Sequence, residues 1–296
     1  MRIAIATCSM MPDGFQEDEL AAALDATWVV WDDPAADWAA FDVVLVRSVW
    51  DSDQRRDEFV AWAHGVADGG TILLNPAPLL EWNTDKRYLA ELTVAGLPVV
   101  PTRFLEPGAP LSLDVLAELG DPAELVIKPA QSAGSRDTGR YALPGGLADA
   151  TALTARIHAA EQVVIAQPYL AGVDATGETA LLYFGGAYSH AIRKAAILEV
   201  GAQPLNAALA ADPRIDLRAP SGAERRLGDR VLAWLVQRWG EPPAYARVDL
   251  IPGPDGAPVV IEVELTEPQL FLPYADDGAQ RLADAVHALA RTALAS

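Results

Sequence analysis

The first quarter of the chain alternates short apolar runs with segments of helical periodicity. The apolar runs predict strands at residues 2–7, 28–31, 42–47 and 71–74, and the periodic segments predict helices at 17–25 and 55–67. Strands separated by helices in this order are typical of βαβ units, which build parallel sheets. The pattern therefore predicts an N-terminal α/β domain with a parallel sheet.

The pattern changes near residue 96. A helix predicted at 84–95 ends at Gly96, and Pro98 and Pro101 follow as stop signals for an extended segment. Beyond it come a strand into Lys128, a Gly/Ser-rich turn, a helix at 147–160 and a strand at 163–170. This is the size of a small α+β subdomain, so we predict domains at 1–98, 99–170 and 171–296.

Two hairpins are predicted in the last part of the chain. The dipeptide Gly185-Gly186 joins two alternating runs between residues 177 and 195, and Asp255-Gly256 joins two more between 245 and 265. Both dipeptides are hairpin turn signals. Helices at 223–239 and 278–295 complete an antiparallel α+β arrangement.

Charge and cysteine content narrow the class of ligand. The 296 residues carry a formal net charge of -19, which disfavours nucleic acid and anionic membranes as partners. Cys8 is the only cysteine, so an intramolecular disulfide is excluded. The N-terminal run reads as a strand rather than a signal peptide, and no run is long enough for a transmembrane helix. We expect a cytoplasmic protein with a small-molecule substrate; the apolar C-terminal helix permits a homodimer.

The strongest chemical signal is a set of acids in the last hairpin. Asp249 lies on one strand, and Glu262 and Glu264 lie two residues apart on its partner, so they share one face. Three carboxylates converging there would repel one another unless a cation bound, and hard oxygen ligands favour magnesium. The alternative is a solvated strand face, which the surrounding apolar residues disfavour.

Several cations stand at strand ends. Lys128 ends an apolar strand, and small residues that can approach phosphate closely follow it, although the P-loop motif is absent and a plain turn is an equal alternative. Arg247 shares a face with Asp249, where it can stabilise a transferring phosphoryl group or form a structural salt bridge. Lys86 on its predicted helix can be a surface lysine.

In order, the motifs NTDK, VIKP, SAGSRDT, QPYL, GE, RVDL and IEVE resemble those of the ATP-grasp ligase superfamily over residues 75–296. The resemblance implies an ATP-grasp fold, of mixed α/β and α+β class, preceded by the N-terminal domain, with ATP and Mg²⁺ as cofactors. The residues that it assigns to nucleotide binding are Lys86, Lys128, Ser132, Ala133, Gly134, Ser135, Arg136, Gln167, Pro168, Tyr169, Leu170 and Glu178.

The resemblance also assigns the catalytic centre. The magnesium ligands are Asp249, Glu262 and Glu264, the last replacing the asparagine that is usual in the family. Arg247 takes the place of the arginine that steadies the acyl phosphate. Arg193 or Lys194 matches a further cation near the phosphates.

More narrowly, motifs such as RSVWD, YSHAIRKA and ELTEPQLFL resemble the branch that contains the D-cycloserine-forming O-ureido-serine cyclo-ligases. Strand ends of the N-terminal domain would then select the substrate. The candidate substrate residues are Arg47, Ser48, Trp50, Asp51, His190 as a proton carrier and Glu267. Arg47 and Asp51 can pair with substrate carboxylate and ammonium groups, or form a buried structural pair.

These assignments imply an ATP-dependent ligase that activates a carboxylate as an acyl phosphate, which a nitrogen then attacks. The attack is intramolecular if O-ureido-D-serine closes to D-cycloserine. One alternative is a ligase that joins an amino acid to a second amino acid or peptide. Another is an ATP-binding module without turnover. A Rossmann dehydrogenase is disfavoured because no GxGxxG motif follows the first strand.

Overall fold

A computed structural model of the chain describes residues 1–201 and 215–295. Its first sheet is parallel, with the strand order β2-β1-β3-β4. Its strands and covering helices are β1 (Ile3–Thr7), α1 (Asp18–Leu24), β2 (Thr27–Val30), β3 (Val43–Ser48), α2 (Arg56–Asp68) and β4 (Ile72–Leu74). Helix α2 buries Phe59, Ala63 and Val66, spaced as one helical face requires, against this sheet. The predicted parallel α/β arrangement is confirmed.

The prediction of one helix at 84–95 is wrong. Two shorter helices, α3 (Ala77–Asn83) and α4 (Tyr88–Val94), flank a break at residues 84–87. In the break, the Lys86 amide donates 2.9 Å to the carbonyl of Ala130, far along the chain. Lys86 therefore lies in a turn that is fixed by a tertiary contact, and its side chain is buried instead of lying on a helix surface.

The second sheet is antiparallel with the order β5-β8-β6-β7. Its elements are β5 (Arg103–Leu105), α5 (Leu113–Glu118), β6 (Glu124–Pro129), β7 (Gly139–Ala142), α6 (Leu147–Ala159) and β8 (Val164–Pro168). Leu153 and Ile157 of α6 pack on Leu125 and Ile127 of β6. The predicted helix and strands around Lys128 are confirmed, whereas β5, β7 and α5 were not predicted.

The third sheet has the order β11-β10-β9-β12-β13 and is antiparallel. Both predicted hairpins and both predicted helices of this region are present. The elements are α7 (Gly172–Thr176), β9 (Glu178–Phe184), β10 (Ala187–Lys194), β11 (Ile215–Leu217), α8 (Gly222–Trp239), β12 (Tyr245–Pro252), β13 (Pro258–Glu264) and α9 (Gly278–Leu294).

The two faces of the third sheet are covered differently. Leu182 and Tyr245 pack with Ile5 and Leu45 of the parallel sheet and with α9, while the opposite face packs on α8 and on α3 and α4. None of the helices in residues 1–201 and 215–295 has the length and apolar character that crossing a membrane requires.

Strand β13 is the outermost strand of this sheet, and polar side chains cover its free edge. Asn83 bonds the carbonyl of Val263 and the amide of Leu265, both at 2.7 Å. The Tyr88 hydroxyl bonds both backbone groups of Val263 at 2.9 Å. Farther along, the Val100 amide donates to Val260 O at 3.0 Å. The strand that carries Glu262 and Glu264 is thus held from the N-terminal half of the chain.

Candidate active site

The last hairpin forms a network of buried acids and cations. Asp249 lies opposite Glu262, and Arg247 lies opposite Glu264, in the register of β12 and β13. Arg247 Nε donates to Asp249 Oδ1 at 3.0 Å and Nη2 to Oδ2 at 3.0 Å, while Nη2 also pairs with Glu264. Burial opposes ionisation of Asp249, but Arg247 and Lys194 hold its pKa well below the usual range.

A second cation reaches Asp249 from the neighbouring strands. Lys194 Nζ donates to Asp249 Oδ2 at 2.8 Å and also forms an ion pair with Glu178. Burial, with the charge of Asp249 adding to it, raises the pKa of Glu178 to about 8. Glu178, the predicted ribose contact, is therefore in contact with the acid cluster, and Lys194 is the cation that links the two.

Lys86 approaches the cluster from the break between α3 and α4, and Lys128 approaches it from β6. Lys86 Nζ lies 3.1 Å from Glu262 Oε1 and also donates to the carbonyl of Ser132. The Lys128 side chain is buried and makes no hydrogen bond or ion pair within the part of the chain that the structure describes. Burial, and repulsion by Lys86, lower the pKa of Lys128. A buried cation without a partner is suited to an anionic ligand.

The described residues contain no group of three acidic, histidine or cysteine side chains placed to hold a metal ion, so the joint role of Asp249, Glu262 and Glu264 as magnesium ligands stays a prediction. Arg247 pairs with both Asp249 and Glu264, and Lys86 pairs with Glu262. The donor set still fits magnesium, because this ion takes one or two carboxylates and completes its shell with water and phosphate oxygens. Glu262 and Glu264 project from the same face of β13 and are only partly buried.

The Gly/Ser-rich turn offers backbone donors beside these lysines. Within the described residues, the amides of Ser132, Gly134 and Ser135 donate to no protein group. Gly134 and Ser135 have φ of 61° and 58°, a left-handed conformation that glycine adopts without strain. Successive free amides in a turn form a concave binding site for anions. The Ala133 amide differs, because it donates to Asp53 Oδ2 at 3.2 Å.

The predicted adenine linker, residues 167–170, begins with the last two residues of β8, in the second sheet. Strand β5 pairs only with residues 164–166, so beyond Ala166 the linker has a strand neighbour on the β6 side alone. Gln167 is buried and donates to Thr102 Oγ1 at 2.9 Å. The Arg140 guanidinium stacks 3.4 Å from the centre of the Tyr169 ring.

Of the two alternative cations at the end of β10, only Lys194 enters the cluster. Arg193 projects from the opposite face of the strand, where its Nε donates to the Thr176 carbonyl at 2.6 Å and its Nη1 lies 3.9 Å from Asp216. Arg193 is therefore separated from Arg247 and Asp249, and its contacts are those of a structural residue.

The N-terminal candidates fall into two groups. Arg47 is buried and pairs with Glu17 at 2.6 Å and with the carbonyl of Pro268 at 2.7 Å, so the structure favours the structural alternative for it. Ser48 is buried at the end of β3, and Asp51 accepts from Trp31 Nε1 at 2.9 Å.

Trp50 and Glu267 lie closer to the cluster. Trp50 Nε1 donates to the Glu267 carbonyl at 2.9 Å. Burial and the charge of Glu264 raise the pKa of the Glu267 carboxyl to about 8, and Lys86 lies near enough to oppose this. The carboxylate of Glu267 makes no hydrogen bond among the described residues, so it is free to contact a ligand.

Both ring nitrogens of His190 make hydrogen bonds within the protein. Its Nε2 donates to the Leu270 carbonyl at 3.1 Å, and its Nδ1 accepts from Ser189 Oγ at 2.9 Å. With both ring nitrogens in use and no contact to the acids or lysines of the cluster, His190 has the contacts of a structural residue, and we do not give it a proton-transfer role.

The environment of His190 predicts a pH dependence of stability. Burial, with repulsion by Arg281, lowers its pKa to about 4. Protonation therefore favours the unfolded chain, and stability falls by up to about 3 kcal/mol as the pH drops from about 6.5 to 4. Chemical denaturation at pH 7 and pH 4.5 should show a smaller loss for H190Q than for the parent chain. Equal losses in the two proteins would contradict this assignment.

Two contacts of the site were not anticipated from the sequence. Asp53 binds the Gly/Ser turn, and Glu17 fixes Arg47; both pairings join residues far apart in the chain, which no local pattern reveals. The choice of Lys194 over Arg193 had a signal in the sequence, namely the small number of lysines. The chain has three lysines, Lys86, Lys128 and Lys194, and all three lie at this site.

Known proteins share this architecture. A D-alanine–D-alanine ligase from Bacillus anthracis, solved in complex with ATP, matches with a TM-score of 0.70 over 99% of this chain and 98% of its own, at 16% identity. A RimK-domain ATP-grasp protein from Sphaerobacter thermophilus matches with a TM-score of 0.68 over 96% of this chain and 99% of its own, at 19% identity. The fold is that of the ATP-grasp ligases.

More similar proteins define the family. The model of the N-terminal domain of D-cycloserine synthetase DcsG matches residues 3–75. The cycloserine biosynthesis protein DcsG of Streptomyces lavendulae is 40% identical over 266 residues, 86% of each chain. The crystal structure of D-cycloserine synthetase DcsG matches with a TM-score of 0.88 at 35% identity, over 98% of this chain and 100% of that one. The chain is an ATP-dependent ligase and belongs to the DcsG family of ATP-grasp enzymes.

Proposed function

We propose that this enzyme phosphorylates the carboxylate of O-ureido-D-serine with ATP and closes the resulting acyl phosphate to D-cycloserine. The observation that carries the proposal is the meeting of Lys86, Lys128 and the acids of β12 and β13 at one place. Sequence similarity to the DcsG protein of Streptomyces lavendulae supports the choice of product.

In the first step, a carboxylate oxygen attacks the γ-phosphorus of ATP, and the bond between this phosphorus and the bridging oxygen to ADP breaks. Lys128 and Lys86 bind the phosphate oxygens, and the free amides of Ser132, Gly134 and Ser135 contribute neutral donors. Glu262 and Glu264 would hold Mg²⁺, which would neutralise phosphate charge. Positioning and charge neutralisation supply most of the rate enhancement for this kind of transfer.

In the second step, the ureido nitrogen attached to the side-chain oxygen attacks the acyl carbon and expels phosphate. This closes a five-membered ring as the nitrogen releases its proton. Water then cleaves the bond between that nitrogen and its carbamoyl group, which leaves as carbamate and decomposes to CO₂ and ammonia. Arg247 stabilises the oxyanion that develops on the acyl carbon. Because nucleophile and electrophile belong to one molecule, proximity replaces a second substrate site. The carboxylate of Glu267 is the group that we assign to the substrate ammonium.

The test is an assay of ADP and phosphate release with Mg²⁺ and ATP. O-ureido-D-serine, its L enantiomer and single or paired amino acids are supplied in parallel, and the ring product is identified by mass spectrometry. Turnover with O-ureido-D-serine alone, with D-cycloserine as product, is expected. Turnover only with pairs would support an intermolecular ligase instead and would refute cyclisation.

The metal assignment predicts a specific defect for Glu262→Gln. The amide keeps an oxygen donor but loses the charge, so the Mg²⁺ concentration for half-maximal activity should rise about tenfold. A Mg²⁺ titration of steady-state activity measures this. Glu241→Gln, which neutralises an exposed carboxylate away from the cluster, is the matched control. An unchanged Mg²⁺ requirement in E262Q would remove this residue from the metal site.

A further inference from the structure

Asp53 connects the N-terminal domain to the Gly/Ser-rich turn. It lies in a short turn, Ser52–Gln54, that follows β3. Its Oδ2 accepts from the Ala133 amide at 3.2 Å and lies 3.5 Å from Arg136 Nη2. Only 9% of the Asp53 side chain is exposed. A largely buried carboxylate thus receives one neutral and one charged donor from the same turn, 80 residues away.

Few other contacts hold this turn. Among the described residues, the hydrogen bonds and ion pairs that lead from residues 132–136 out of the segment 129–138 go to Lys86 and Asp53. Both partners come from the N-terminal third of the chain. The turn also borders a cavity of about 420 Å³ that is lined by Asp53 and Gln54 and extends to Arg156 and Ile157 of α6, so side-chain packing does not fix the turn there.

We expect ATP to affect the Lys86 contact and the Asp53 contacts of the turn differently. In the proposed function, on which this inference rests, the Lys86 ammonium turns to a phosphate and gives up the Ser132 carbonyl. The Asp53 contacts then remain as the link to the N-terminal domain. They use the Ala133 amide, so the amides of Ser132, Gly134 and Ser135, which have no protein acceptor among the described residues, are left for phosphate.

We propose that Asp53 is a positioning residue that holds the Gly/Ser-rich turn closed over the phosphates and so excludes water from the acyl phosphate. Water that enters an open site hydrolyses the intermediate, which releases ADP and phosphate without product. Loss of Asp53 should therefore raise the ratio of ADP to cyclic product, and not merely slow the reaction.

The experiment compares D53A, D53N and the control D57A, whose carboxylate is 98% exposed on the next helix. Hydrogen exchange of the peptide that spans residues 131–138 is measured in the free enzyme, and ADP per product is measured in turnover. In D53A, exchange of that peptide should be about fivefold faster and ADP per product should rise about threefold. D53N keeps an acceptor for the Ala133 amide, so its values should be intermediate, and D57A should match the parent.

Hydrogen exchange does not depend on substrate. This measurement therefore tests whether Asp53 anchors the turn even if the parent enzyme fails to cyclise O-ureido-D-serine. Parental exchange in D53A, or a parental ratio of ADP to product where turnover is seen, would overturn the proposal. If D53A does not fold, D53N and R136Q carry the same test, because R136Q removes the charged half of the contact while Asp53 stays in place.

Discussion

Replacement of Lys128 by alanine is expected to lower nucleotide turnover by at least about a hundredfold, the usual cost of removing a group that stabilises transition-state charge. In the free enzyme the Lys128 side chain is buried without a hydrogen-bonded partner, and burial opposes its charge more strongly than the attraction of Glu262 favours it, while Lys86 repels it. Alanine should therefore leave the melting temperature of the nucleotide-free protein unchanged or slightly higher. This combination of lost activity and retained stability distinguishes a ligand-binding cation from a structural one.

Steady-state ADP release and thermal melting with and without ATP measure both parts of this prediction. ATP should raise the melting temperature of the parent chain more than that of K128A. R156A is the matched control, since Arg156 is an exposed cation of the same lobe that pairs with Asp137 at 2.7 Å. Parental turnover in K128A would refute the role of this lysine.

Arg247→Gln should impair both catalysis and folding. The guanidinium contacts Asp249 and Glu264 and the carbonyl of Gln269, all within the protein interior. Without it, the buried carboxylate of Asp249 keeps Lys194 but loses one of its two cations, and the partly buried carboxylate of Glu264 loses its partner, which costs on the order of 3 kcal/mol of stability. We also expect at least about a hundredfold loss in kcat, because the same group faces the charge that develops at the acyl carbon.

The effect of added Mg²⁺ on stability tests the role of Arg247 more directly than the loss of stability alone. Mg²⁺ bound by the acids in R247Q would replace some of the missing positive charge, so it should raise the free energy of unfolding more in the variant than in the parent. Urea denaturation with and without Mg²⁺ measures the difference. R193Q serves as the control, because Arg193 lies on the opposite face of its strand. A kcat near the parental value in R247Q would exclude a role in the chemistry.

Elements with strong local signals were predictable from the sequence. Alternation with a period of two, interrupted by Gly185-Gly186 and by Asp255-Gly256, fixes which residues of the hairpins share a face. For this reason the strand pattern by itself is enough to group the side chains of Arg247, Asp249, Glu262 and Glu264. The parallel sheet followed equally from strands separated by helices.

Features that depend on distant partners were not predictable. The helix expected at 84–95 is interrupted because the Lys86 amide bonds Ala130, a contact with no local signature. The salt bridge between Arg247 and Asp249 was one of the predicted alternatives. The pairings of Arg247 with Glu264 and of Lys86 with Glu262 were not predicted, since strand spacing gives the face of a side chain but not its rotamer or its partner. The short strands β5 and β7 have too few residues for a periodic pattern.

The covered edge of β13 has a consequence beyond the site. A strand at the margin of a sheet presents unpaired amides and carbonyls, which invite pairing with another molecule. Here Asn83, Tyr88 and the segment 98–100 use those groups at Val263, Leu265 and Val260. The same contacts that hold the acid-bearing strand therefore protect the largest sheet against edge-to-edge aggregation, and a fragment that lacked the N-terminal third would expose that edge.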